Sequence, residues 1–513
     1  MEKSFQSDFS TSTVTNEVMN KKRNRFINQR AWLKDGENIK GAVTVAISKK
    51  GITSFCTNGL IDMINKQIED VKVPDEGVFL EGFTSGLGVY DLGVNVNTGK
   101  LSINNLATSA VNQIPGGMFS ISIKGDLKLA YKNWHESYYY YVYNSGNTIK
   151  HYCDRDLNDF SLTIRDFKLE MTIQFSVADN NLKIEVIKCN SFIDPAKIDL
   201  IFPPQSFLQS RMKCVKDAVK QKVVEIVTKI DFGAMIKKIM DHLFEQIPNS
   251  GHLTDDIMYH FPVVGLQFNN NNSMEAGITG QVTYKGQSYP GELPMLPYPA
   301  VVEEKDMNFD IHEYEFNALL WSFYEAGDLH LRLTGDMTND PKEFNTEYYH
   351  DIPGLEWMAE KYPNSPIVVY ITALDSPTVS LVPESLSTVI NVTCDLKAIH
   401  DGEETSLIKL IVNQTDDLKN LKIVTGKDIQ KVTFKFVLNK FDATIESSIE
   451  PVDPTFFKIM WKMIVEPYYA NLMGKVGETG IPLPSMNIFS LGEPEIKLNN
   501  RYLSLSTNIC KPL

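Results

Sequence analysis

The stretch Ile47–Pro74, "ISKKGITSFCTNGLIDMINKQIEDVKVP", changes its period within a few residues. Just ahead of it Ala42, Val43, Thr44, Val45 and Ala46 are small or β-branched, which suits a pleated strand. From Gly51 onward Ile52, Phe55, Cys56, Leu60, Met63, Ile64, Ile68 and Val71 recur at spacings of three and four, so they share one helical face. Pro74 ends the helix. A strand therefore runs into a long helix whose apolar stripe needs a surface to cover it.

A chain of 513 residues has room for two or three domains with sizeable cores. Hydrophobic residues at 43% and charged residues at 22% are ordinary for a folded soluble protein, and no apolar run is long enough to span a membrane. The first thirty residues hold no apolar segment behind a basic start, so an intracellular protein is expected; the alternative is a secreted one whose signal was removed before Met1. Six scattered cysteines with no C-x-x-C pair argue against zinc or thioredoxin-like chemistry. Of the net charge of −14, residues 1–260 contribute +1 (31 Lys+Arg, 30 Asp+Glu) and residues 261–513 contribute −15 (19 against 34). So acidic a half repels polyanions and excludes nucleic acid as a partner. The basic run Lys21, Lys22, Arg23, Arg25 and Arg30 reads as a solvated tail.

Residues 1–40 are polar and unpatterned, and read as an extension without a core. From 78 to about 200 alternating segments such as "MFSISIKGDLKLAY" and "FSLTIRDFKLEMTIQFSV" predict strands. After Pro203-Pro204 a second helix is expected over 207–230, striped by Leu208, Met212, Val215, Val219, Val223, Ile226 and Ile230. Pro290, Pro294, Pro297 and Pro299 mark a stiff linker over 289–302. The plan then repeats: a helix over 314–327, strands such as "PIVVYITAL" and "STVINVTCDL", a long helix over 453–476, and a last strand "RYLSLSTNI". This predicts a pseudo-duplicated α+β architecture.

Four places in this order resemble the bactericidal/permeability-increasing protein, lipopolysaccharide-binding protein and cholesteryl ester transfer protein family, the tubular lipid-binding fold. They are Ile47-Ser48-Lys49-Lys50-Gly51 through "KVPD", "HEYEFNALLWSFYEAGDLHLRL", "KYPNSPIVVYITALDSPTVSLVP" and the turn "GIPLP" at Gly480–Pro484. The resemblance covers about residues 41 to 513 and implies an elongated boomerang of two barrels. Each would be a twisted antiparallel sheet wrapped round a long helix, with a central sheet between them. Beyond the polar extension (1–40), it implies an N-terminal barrel (41–260), central-sheet strands and linker (261–302) and a C-terminal barrel (303–513). In the family an apolar tube between helix and sheet holds lipid acyl chains. The lining positions here would be Ile52, Phe55, Leu60, Met63, Ile64 and Ile68 in the first helix, and Val215, Val219, Ile226 and Ile230 in the second. In the second half they would be Leu319, Leu320, Phe323, Met460, Met463 and Ile464. At about 0.8 kcal/mol per buried CH₂, one long chain gains more than roughly 10 kcal/mol on leaving water, so a dry tube can compete with a bilayer.

The chain departs from the family at three points. The bactericidal members grip anionic lipopolysaccharide with a cationic tip, whereas the expected tip loop here, "YKNWHESYYYYVYNSGN", offers Tyr138 to Tyr141, suited to a membrane interface, a protein interface or plain strand positions. The family's sheet-to-helix disulfide maps onto Cys189 and Thr228; Cys214, one face away, is the substitute partner, and a reduced form is the alternative. The polar extension is the third, and it and the acidic second half are candidate docking surfaces for proteins.

Catalytic patterns are missing from the sequence. Nine histidines stand isolated, with no H-E-x-x-H. "GFTSGLGVYDLG" fits neither G-x-S-x-G nor G-x-G-x-x-G and reads as bends in a strand, and "DMTNDPKEFNTE" lacks calcium-loop spacing. Asn271, Asn391 and Asn413 begin glycosylation sequons of the kind an Asn-rich chain yields by chance. The reading that results is a non-enzymatic lipid-binding or lipid-transfer protein, with no cofactor beyond a bound phospholipid or fatty-acyl lipid. The alternative is the same fold reused as a structural part of an intracellular assembly.

Overall fold

Strand Val43–Ile47 pairs antiparallel with Met274–Ile278 on one side and Met307–His312 on the other. The sheet is completed by Val263–Phe268 at one edge and by Tyr502–Thr507 and Glu495–Leu498 at the other. The start, middle and end of the chain thus meet in one six-stranded sheet. Period-two alternation sorts its faces: Val43, Val45, Phe309, Ile311, Leu503 and Leu505 join one hydrophobic core, and Thr44, Asn308 and Asp310 point the other way. The computed structural model describes residues 39–510 except 62–63, 65–71, 74–75, 86–87, 115, 145–146, 204–212, 246–248, 269–272, 297–303, 338–340, 426–429, 454–460, 462–465, 484–489 and 493.

Helix α1, Lys49–Phe55, follows the first central strand directly. Ser48 caps it, its hydroxyl accepting from the Gly51 N–H at 3.0 Å and donating to the Lys305 carbonyl at 2.6 Å. Lys50 Nζ donates to the Glu304 carbonyl and to Asn508 Oδ1, each at 2.9 Å, and pairs with buried Asp306 at 3.5 Å. A Cβ at position 51 would stand 2.0 Å from the Asp306 carbonyl oxygen, so only glycine allows this approach. The "SKKG" stretch is therefore the clasp between the first helix, the segment entering the second half and the C-terminal strand. The expected uninterrupted α-helix is corrected: Cys56–Leu60 is a π-helical turn, closed by the Ile61 N–H on the Cys56 carbonyl. The wider turn shifts the stripe by one residue, so that Cys56, Leu60, Ile61 and Ile64 are all buried.

The N-terminal sheet runs in the order Lys72–Val73, Gly88–Ile114, Met118–Asn144, Asn147–Ala178, Asn181–Phe192, with Glu76–Ser85 and Ile198–Ile201 paired onto it. Its three longest strands have 27, 27 and 32 residues. At about 3.3 Å per residue these approach 90 Å or more, and accumulated twist makes such a sheet curl. Register shifts at Asn104/Ala107, Thr108/Ala110 and Gly125/Leu127 bend it further. The glycine-rich stretch forms the hairpin in which Ser85 faces Gly88. Tyr138 to Tyr141 are ladder residues of Met118–Asn144, opposite Cys153 to Lys150, which corrects the tip-loop reading in favour of the strand alternative.

Helix α2, Lys213–Lys229, occupies the described part of the second predicted helix. Helix α3, Phe232–Glu245, was not expected; it restarts behind Asp231, whose carboxylate accepts from the Ala234 N–H at 2.8 Å. The proline-rich linker contributes Met295–Leu296, which pairs with Ile39–Lys40.

The second half opens with α4, Glu313–Glu325, continuous with the central strand Met307–His312. Its sheet is ordered His330–Leu333, Ile367–Ala373, Ser385–His400, Glu403–Thr425, Gln430–Ser448, Ile481–Pro482, with Thr378–Val382 paired to Ser385–His400. Short α5, Glu356–Lys361, lies between its first strands, and α6, Glu466–Thr479, follows the last long one. "GIPLP" is corrected from a turn: Gly480, at φ +69°, ends α6, and Ile481–Pro482 is a strand on Lys431–Val432. "DMTNDPKEFNTE" carries the short 3₁₀ turns Gly335–Met337 and Pro341–Phe344. The fold is mixed α+β, rich in strands and built on curled sheets.

Candidate functional site

Two buried apolar cores divide the molecule, and each gathers the helices the sequence assigned to it. In the N-terminal core Ile52, Leu60 and Ile64 pack with Val219 and Ile226 and with sheet residues such as Phe119, Ile121 and Leu162. Ile230 is half-buried against it. Ile47 and Phe55 each touch both cores, which makes them apolar links across the middle. Met63 and Ile68 lie outside the described residues, as does the side chain of Val215. Helix α3 adds Phe232, Ile236, Ile239 and Met240, whose spacing of four, three and one is the signal that could have found them.

In the C-terminal core Leu319, Leu320 and Phe323 of α4 meet Trp461 and the α6 residues Tyr469, Met473 and Val476. Met460, Met463 and Ile464 lie outside the described residues. Close packing joins α6 to the sheet: a Cβ at Gly477 would stand 2.2 Å from the Phe434 carbonyl oxygen.

Titratable groups collect where α4 leaves the central sheet. His312 is the α4 N-cap, and its Nδ1 accepts from the Tyr314 N–H at 3.0 Å, which leaves the ring neutral with its proton on Nε2. Burial, with the Arg501 charge nearby, lowers its pKa to about 4. Burial raises the Asp310 carboxyl to about 6, although Ser504 donates to it at 2.5 Å. Glu315 is fully buried beside Gly280, neither carboxyl oxygen has a partner, and desolvation holds it neutral. Glu313 accepts from Arg501 Nε at 2.7 Å and from the Leu381 N–H at 3.1 Å.

The anticipated Cys189–Cys214 bridge is corrected, because Cys189 carries a free thiol. It faces the start of α3, where a Cβ on Gly233 would lie 3.3 Å from the Cys189 Cβ, rather than α2. Burial, with Asp231 adding to it, raises the thiol to about 11 and keeps it unreactive. Among the described residues no group of three or more His, Cys, Asp or Glu is placed to hold a metal ion, and no helix is long and apolar enough to cross a membrane.

The model of the LBP / BPI / CETP family C-terminal domain matches residues 261–510. Among solved structures, the crystal structure of lipopolysaccharide binding protein is similar at 14% identity over 92% of this chain and 100% of that one, with a TM-score of 0.52. P47 of Clostridium botulinum E1 aligns at 9% identity over 92% of this chain and 100% of that one, with a TM-score of 0.25. Takeout 1 of Epiphyas postvittana aligns at 10% identity over 37% of this chain and 91% of that one, with a TM-score of 0.24. Among curated protein sequences no match reaches significance. Through residues 261–510 the chain is similar to the C-terminal domain of the LBP / BPI / CETP family, and its fold is like that of lipopolysaccharide binding protein.

Proposed function

We propose that this protein binds lipid, holds acyl chains between helix and curled sheet in each half, and carries them between membranes without catalysing a reaction. The observation that carries this reading is the LBP / BPI / CETP domain over 261–510, whose helix-on-sheet core has a counterpart in the N-terminal half. In this reading the molecule is a boomerang of two barrels, with units 41–260 and 303–513 flanking central strands and linker at 261–302. Ile52, Leu60, Ile64, Val219 and Ile226 face one acyl chamber, and Leu319, Leu320 and Phe323 face the other. The ligand is a phospholipid or fatty-acyl lipid, and no other cofactor is needed. Lipopolysaccharide is disfavoured, because the N-terminal half is nearly neutral and its long hairpin ends in tyrosines rather than lysines. Those tyrosines suit the contact with a membrane, and the site of action is intracellular.

Native mass spectrometry of the purified protein, with transfer of fluorescent phospholipid between vesicles, tests the proposal. Co-purifying lipid and protein-dependent transfer are expected. No bound lipid and no transfer would overturn the reading and leave a scaffold role, checked by pull-down of partners with residues 1–40 deleted.

A further inference from the structure

The interior of the C-terminal core holds a polar group that its packing leaves unfinished. On the strand Glu403–Thr425 the inward positions Leu410 and Val412 are followed by Gln414 and Asp416, which are 4% and 2% exposed. Gln414 Nε2 donates to Asp416 Oδ1 at 2.6 Å, while Gln414 Oε1 accepts from nothing. Across the ladder Gln414 is paired with Phe441, and the Phe441 ring stacks on Trp461 at 5.3 Å. Trp461 is 1% exposed, and its Nε1–H has no acceptor. Tyr469 closes the group, 6.0 Å from the Trp461 ring, and burial, with the Asp416 charge adding to it, raises its pKa.

The two orphaned atoms are of opposite kinds, an acceptor and a donor, and leaving both buried and unmet is unfavourable. Few lipid polar groups answer both. An ammonium only donates, and a phosphodiester or ionised carboxylate only accepts; a hydroxyl does both. Asp416 also disfavours an anion, since two like charges in a dry interior repel strongly. Burial raises its carboxyl to about 6, so it bears charge at neutral pH.

We propose that the C-terminal core seats the hydroxyl of a neutral lipid such as a diacylglycerol. The lipid O–H donates to Gln414 Oε1, its oxygen accepts from the Trp461 Nε1–H, and its acyl chains lie among the apolar residues of α4 and α6. This rests on the lipid-binding reading above and narrows it to a lipid class for one half of the molecule.

The test uses full-length, delipidated protein and four probes: dioleoylglycerol, its 3-O-methyl ether, oleylamine and dioleoylphosphatidylcholine. Binding is read by native mass spectrometry and by competition. The ether keeps an acceptor but cannot donate, so wild type should prefer the free alcohol about tenfold. In Gln414→Leu that ratio should fall to about 1, and Trp461→Phe should weaken the alcohol and the ether alike. The ratio compares two ligands on one protein, so a purely structural defect in either variant does not move it. Equal binding of alcohol and ether by wild type would overturn the seat and leave ordered water as the partner of both atoms. Tighter binding of oleylamine than of dioleoylglycerol would overturn it in favour of a cation at Asp416. Phosphatidylcholine binding without an alcohol preference sinks the seat alone, whereas no binding of any lipid sinks the lipid reading with it.

Discussion

Along the N-terminal strand Met118–Asn144 the inward positions Phe119, Ile121, Ile123, Leu127 and Leu129 are uniformly apolar, and among the described buried residues of that sheet only Glu136 is charged. Along the C-terminal strand Glu403–Thr425 the same alternation buries Leu410, Val412, Gln414, Asp416 and Leu418. One geometric rule therefore builds two cores of different chemistry. In the proposed lipid-binding reading the first would accept any hydrocarbon of the right bulk, since apolar burial is non-directional. The second contains directional groups, so in that reading it would discriminate a ligand by what it donates and accepts. The difference between the two cores resides in a few side chains, not in the fold.

The comparison breaks most sharply if polarity is moved from one chamber to the other. Leu162→Asn in the N-terminal core should destabilise by about 3–5 kcal/mol, since it removes packing and buries an amide without partners. A loss of less than about 1 kcal/mol in urea unfolding would show that this core already contains water. Gly51→Ala should cost about 3 kcal/mol, because its Cβ meets the Asp306 carbonyl and α1 must back away from the clasp joining the halves. Hydrogen exchange at α1 and at 304–309 should speed up together; exchange confined to α1 would mean that the clasp does not couple them.

The seam between the chambers responds to pH. His312 has a pKa of about 4 in the folded protein against an ordinary value of 6.5, so its contribution is present above pH 6.5 and lost as pH falls toward 4. Asp310 and Asp416, raised to about 6, act in the opposite sense, becoming less costly as pH falls from 6 toward the ordinary carboxylate range. In His312→Asn, which keeps a helix cap, only the second effect remains. The variant should therefore gain roughly 2–3 kcal/mol relative to wild type between pH 7 and 4.5. Parallel stability profiles over that range would exclude a neutral buried His312.

The smallest effect concerns the polar chamber itself. Gln414→Leu should cost about 1 kcal/mol, because relief of the unmet amide oxygen partly offsets the loss of the Nε2 donor to buried Asp416. A loss above about 2 kcal/mol would mean that the Gln414–Asp416 pair is a structural tie, and the contrast between the chambers would then lose its functional meaning.

Much of the architecture was legible in residue spacing. The step from strand to α1 at Ser48, α2, α4 and the alternating strands follow from periods of 2 and 3.6, which burial of one face imposes locally. Helix α3 was missed, although Asp231 as cap and Phe232, Ile236, Ile239 and Met240 as stripe signal it, because it restarts two residues after α2 without a separating loop. The π-helical turn at Cys56–Leu60 was not legible, because widening one turn depends on what the sheet offers the stripe. Glu315 reads in the sequence as an ordinary first-turn acid; its burial, with Gly280 against its carboxyl group, comes from the tertiary structure.

The sequence by itself determined which residues turn inward, since that depends on periodicity within single elements, and it determined the acidic bias of the second half. The tertiary structure alone decided that residues 43–47, 307–312 and 502–507 share one sheet, because hydrogen-bonded neighbours hundreds of residues apart leave no local period. It also decided that Gln414 Oε1 and the Trp461 Nε1–H are buried without a partner. An unmet donor or acceptor is a property of everything that packs around it.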